Sequence, residues 1–88
     1  MTVVSFYEMA DGALEKVMEL YPEHRVWLDA CHAAGKVIAA GPLGDPPEGA
    51  LAIYPSREAA EEFINGDPFV INGLVKSWRI VERRAAFL

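Results

Sequence analysis

The chain has 88 residues, 52% of them hydrophobic and 24% charged. That is one domain with enough apolar surface for a core, which excludes a disordered chain. A net charge of −5 with a pI near 4.9 argues against nucleic-acid binding, because phosphate contacts need a basic face.

The first strand is read at Thr2–Tyr7, a run of β-branched and aromatic residues. Asp11-Gly12 ends it, and Ala13–Leu20 has helical composition. Pro22 would break a helix interior but suits the first turn of a new helix. The expectation is therefore a short helical piece, then a main helix from Pro22 to Ala34 capped by Gly35. A second strand is expected over Lys36–Gly41, with Gly41-Pro42 at its end. The Pro- and Gly-rich stretch 42–49 reads as a loop. Ala50–Tyr54 is a third strand, forming a hairpin with the second.

Ser56 is a good N-cap for a helix over Arg57–Asn65, whose Ala59, Ala60, Phe63 and Ile64 fall on one face. Asp67-Pro68 starts a further short turn, with Asp67 as cap and Pro68 at the first helical position. Leu74–Val81 is the fourth strand, and the tail Glu82–Leu88 either packs on a partner or frays. The order β-α-β-β-α-β is the ferredoxin-like split βαβ pattern, an α+β fold with both helices on one face of an antiparallel sheet. Residues 1–88 form a single domain. Val4 and Phe6 on one side of the first strand, with Val3 and Tyr7 on the other, leave neither sheet face fully wet. A homodimer joined through the bare sheet faces is the expected remedy.

One cysteine, Cys31, makes an internal disulfide impossible and fits a reducing compartment. With no basic-then-apolar leader and no run of about 20 apolar residues, the reading is a cytoplasmic protein without membrane association. No glycine-rich phosphate loop, metal-ligand spacing or nucleophile-elbow context is present, so neither a cofactor nor a metal is expected. Cys31 reads as a small core residue, His32 as solvent-side, Trp27 and Leu28 as core, and Trp78 as core rather than pocket.

Pro22-Glu23-His24, Gly35, Ala40-Gly41-Pro42, Ser56-Arg57-Glu58-Ala59-Ala60, Gly66-Asp67-Pro68-Phe69 and Gly73-Leu74 follow one another across nearly the whole chain. This ordered set resembles the YciI-like (YCII-related) family of the dimeric α+β barrel superfamily. The resemblance implies a small-molecule pocket in each subunit with a paired His and Asp, here His24 and Asp67. It also implies chemistry like that of its relatives: a dehydrochlorinase of a chlorinated hydroxyhydroquinone in one branch, lactone isomerases and cofactor-free oxygenases in the wider superfamily. Some members of that superfamily bind heme. Many family members carry an arginine just before the proline, where this chain has Tyr21; Arg25 is expected to point elsewhere on the helix.

Placed in the first turn of the main helix, His24 would feel a positive helix end, which favours the neutral ring needed in a general base. Asp67 would pull the other way and fix the ring tautomer. The plain alternative is a surface histidine and a simple capping aspartate. Phe69 is a candidate pocket wall, and Gly41-Pro42 a candidate rim where backbone approaches a ligand. The expected function is cofactor-independent proton transfer, isomerisation or elimination, on a small cyclic or aromatic metabolite. A non-catalytic small-molecule binding or accessory module is the rival.

Overall fold

Alternation decides how the first strand sits. β1 (Val3–Met9) buries Val3 and Ser5 and half-buries Tyr7 on one face, and turns Val4, Phe6 and Glu8 to the other. The computed structural model describes all 88 residues and places β1 inside a four-stranded antiparallel sheet. β2 (Ala39–Leu43), β3 (Gly49–Tyr54) and β4 (Val75–Glu82) complete it in the order β2-β3-β1-β4. β1 pairs with β3 through Phe6↔Leu51 and Ser5↔Ala52, and with β4 through Phe6↔Arg79 and Tyr7↔Trp78.

Three helices lie on the Val3–Ser5–Tyr7 face: α1 (Leu14–Ala33), α2 (Arg57–Gly66) and α3 (Pro68–Ile71). The architecture is the expected α+β, ferredoxin-like βαββαβ. The core is built from Val3, Cys31, Val37, Ala52, Tyr54, Ala59, Ala60, Phe63 and Ile64, with Trp27 and Leu28 packed against it. Burial pushes the Cys31 thiol up. His32 is exposed.

Several local expectations are met by their physical causes. Ser56 accepts from the Ala59 amide at 3.1 Å and starts α2. Gly35 closes α1 at φ +76°, where a Cβ would be strained. Its amide donates to the His32 carbonyl, and the Lys36 amide to that of Cys31.

Others are corrected. Pro22 does not divide two helices; it sits inside one continuous helix of 20 residues. The missing N–H and the ring's steric demand are tolerated because Pro22 and Met18, one turn earlier, are both exposed. His24 is therefore in mid-helix, and the helix-end argument for a neutral ring does not apply to it. The second strand begins at Ala39 instead of Lys36 and runs through Gly41-Pro42 to Leu43, so those two residues lie within the strand. Pro42 is accommodated because β2 is an edge strand. Trp78 is not core: 46% of it is exposed, on the other edge strand.

Candidate functional site

One face of α1 is directed at the sheet. Leu14, Val17, Met18, Tyr21, His24, Arg25 and Leu28 recur at helical spacing and line one cavity. The opposing wall comes from the helix-side positions of β1 and β3, and Phe69 of α3 contributes a further side. The cavity holds about 580 Å³ and its walls are mostly apolar. That size suits a small organic molecule.

His24 and Asp67, 43 residues apart in the chain, meet at this cavity. His24 Nδ1 lies 2.8 Å from Asp67 Oδ1. Asp67 is fully buried, while the His24 side chain keeps 13% exposure. The carboxylate has three partners. Oδ1 also accepts from the Phe69 amide at 3.0 Å, which is the α3 cap, and Oδ2 accepts from the Tyr7 hydroxyl at 2.9 Å. A carboxylate only accepts, so the hydrogen between Asp67 and His24 resides on Nδ1. In the neutral ring with that tautomer, Nε2 carries the lone pair that can take a proton.

Phe69 lies flat on the imidazole, with centroids 4.1 Å apart and planes 8° from parallel. Phe63 meets the same ring edge-on at 6.3 Å. Between the stack and the Asp67 bond the ring has little freedom to rotate. Phe69 is thus both cavity wall and support for His24. Gly41 and Pro42 also line the cavity, from the β2 edge.

Arg25 does not point away, as its helical position had led us to expect. It reaches the cavity and donates to the Tyr21 hydroxyl at 3.1 Å and to Asp29 Oδ1 at 2.8 Å. A one-residue offset on a helix is only 100°, and a long side chain covers it.

Among the polar residues of the cavity, Ser5, Tyr7 and Tyr54 were not singled out from sequence. Strand alternation puts Ser5 and Tyr7 on the inward face, and two hydroxyls on a buried face are the signal that could have found them. Burial, then the Asp67 charge and hydrogen bond, push the Tyr7 hydroxyl far up, so it stays a donor. No group of three or more His, Cys, Asp or Glu side chains is placed to hold a metal ion.

The model of the YCII-related domain matches residues 1–84. The chain belongs to the YCII-related domain family. No curated protein matches it by sequence. Among solved structures it is similar to the 5-chloro-2-hydroxyhydroquinone dehydrochlorinase of Burkholderia phenoliruptrix AC1100, in complex with 2,5-dihydroxybenzoquinone. That likeness has 21% identity over 96% of this chain and 94% of that one, with a TM-score of 0.79. A cofactor-independent oxygenase from Streptomyces nogalater matches with 12% identity over 97% of this chain and 93% of that one, TM-score 0.56. A NIPSNAP domain protein from Burkholderia xenovorans matches with 14% identity over 100% and 98%, TM-score 0.57. At these identities the likenesses establish a shared fold, one that serves small-molecule enzymes among the proteins compared.

Proposed function

We propose that this YCII-related protein is a cofactor-independent enzyme catalysing proton transfer, isomerisation or elimination, on a small cyclic or aromatic metabolite. The observation that carries the reading is the 2.8 Å bond from His24 Nδ1 to a fully buried carboxylate, at the wall of an apolar cavity. His24 Nε2 takes the proton from the substrate. In an isomerisation it returns it at another atom; in an elimination the freed electron pair forms the double bond, the leaving group departs as an anion and the proton passes to solvent. Asp67 holds the ring tautomer and stabilises the imidazolium while it lasts. Phe69, with Gly41 and Pro42, forms the substrate-binding wall. The structural likeness to a dehydrochlorinase crystallised with a dihydroxybenzoquinone supports a ring-shaped ligand.

The protein is also proposed to act as a homodimer. The sheet face away from the helices carries Val4, Phe6, Leu51 and Ile53 as adjacent cross-strand pairs, with no helix over them. Apolar pairs of this kind gain by being covered with a second copy.

The test begins with a thermal-shift screen of small phenols, lactones and keto acids. NMR then follows conversion of each compound that raises the melting temperature. His24→Ala and Asp67→Asn are expected to cut turnover at least about 100-fold with the fold retained. Full activity in both variants sinks the proposal. A stabilising ligand that is always recovered unchanged favours the binding-module reading instead.

A further inference from the structure

Ser5 and Tyr54 of the cavity take no part in the His24 arrangement. Ser5 and Tyr54 are diagonal neighbours across the β1–β3 ladder, Ser5 opposite Ala52 and Tyr54 opposite Val3. Their hydroxyl oxygens are 2.7 Å apart, and either can be the donor. Both residues line the cavity. Both are more than nine-tenths buried, Ser5 with 2% exposure and Tyr54 with none.

The hydroxyls carry two hydrogens between them and form one bond. Whichever donates, the other keeps a hydrogen with no acceptor in the protein. The neighbouring Tyr7 hydroxyl, whose own hydrogen goes to Asp67, has acceptor lone pairs but makes no hydrogen bond to either residue. A buried donor without a partner is costly, and the surrounding wall is apolar. Such a donor is tolerated at a site where an acceptor arrives with the ligand.

We propose that the Ser5–Tyr54 hydroxyl pair is a subsite for an acceptor oxygen of the ligand, a ring ketone or phenol oxygen. Ser5 keeps slight exposure and Tyr54 none, so with Tyr54 donating to Ser5 the free hydrogen is that of Ser5, presented from the strand β1 side. Burial raises Tyr54 from the usual tyrosine value of 10.0 to about 12, so the hydroxyl keeps its hydrogen at neutral pH. An oxygen held by such a donor is the atom that gathers charge when an adjacent C–H gives its proton to a base. The inference rests on the cavity being the ligand site, and does not require His24 to be catalytic.

The probes are acetophenone and α-methylstyrene, which share a shape but differ by oxygen against methylene at one position. Their affinities are measured by NMR titration with the native protein, Ser5→Ala, Tyr54→Phe and the double variant. Tyr54→Phe keeps the Ser5 hydroxyl and its hydrogen, so the acetophenone preference changes less than about threefold, whereas Ser5→Ala and the double variant lose about tenfold. An unchanged preference in the double variant overturns the proposal. A second reading is spectroscopic and leaves Ser5 and Tyr54 in place. The carbonyl stretch of bound, isotope-labelled acetophenone is shifted to lower frequency, and the shift persists in Tyr21→Phe and in His24→Ala. A stretch equal to that in an alkane solvent overturns the subsite. Persistence in His24→Ala separates it from the fate of the catalytic proposal.

Discussion

Asp67 gathers three donors from three elements: Tyr7 of β1, His24 of α1 and the Phe69 amide of α3. Replacing it by Ala strands all three in a buried place. Asp67→Ala is expected to lose about 3–5 kcal/mol of stability in urea denaturation. His24→Ala leaves Asp67 with two donors and the histidine's space partly open to the cavity, so about 1–2 kcal/mol is expected. Equal losses in the two variants would show that Asp67 is not the hub. The buried tyrosines give a separate expectation at alkaline pH. In the unfolded chain Tyr54 ionises near its ordinary value of 10.0, while in the fold it holds its proton up to about 12. Between those values the unfolded state binds fewer protons than the native state, so stability present below pH 10 falls as pH rises toward 12. Tyr7 is shifted in the same direction and adds to the fall. Urea midpoints should therefore drop across that window, and Tyr54→Phe should shallow the drop; a flat native profile would contradict the burial.

At the scale of elements, short-range signals were legible and long-range ones were not. Ser56, Gly35 and Asp67-Pro68 act through hydrogen bonds within a few residues, so their roles could be read from sequence. Pro22 differs from its sequence reading because the penalty depends on surroundings that the local rule does not carry: Pro22 and Met18 are exposed, and α1 runs on through them. The pairing of His24 with Asp67 is suggested by family resemblance, and alternation marks Ser5 and Tyr7 as inward, but the partners of Tyr7, Ser5 and Tyr54 are not legible. Which hydroxyl meets which partner depends on strand register, and register is not encoded locally. Gly49 shows how tight that register is. A Cβ there would meet the Tyr7 carbonyl oxygen on the neighbouring strand, and that oxygen belongs to backbone that cannot swing aside. Gly49→Ala is expected to destabilise by about 3 kcal/mol and to weaken slow amide exchange along β1 and β3, as followed by NMR. Unchanged protection would mean the strands can separate there without cost.

For the whole molecule, the question is what covers the second face of the sheet. Val4↔Ile53 and Phe6↔Leu51 lie side by side, and the Arg79 guanidinium sits 4.7 Å above the Phe6 ring. The proposed homodimer predicts a mass of two chains by light scattering at micromolar concentration. Leu51→Arg is expected to give single chains with helix and sheet content intact, since the change is on the face away from the core. A native protein that runs as one chain would remove the dimer.

The triple role of Asp67 also bears on how such a protein can change over generations. The same carboxylate begins α3, ties it to β1 and holds His24. If the proposed chemistry holds, a descendant that no longer needs it can give up the histidine at modest cost, but it cannot lose the acceptor oxygens at position 67 without endangering the fold. An aspartate at this place in a related chain therefore testifies to architecture. The histidine beside it is the residue whose presence would follow the proposed chemistry.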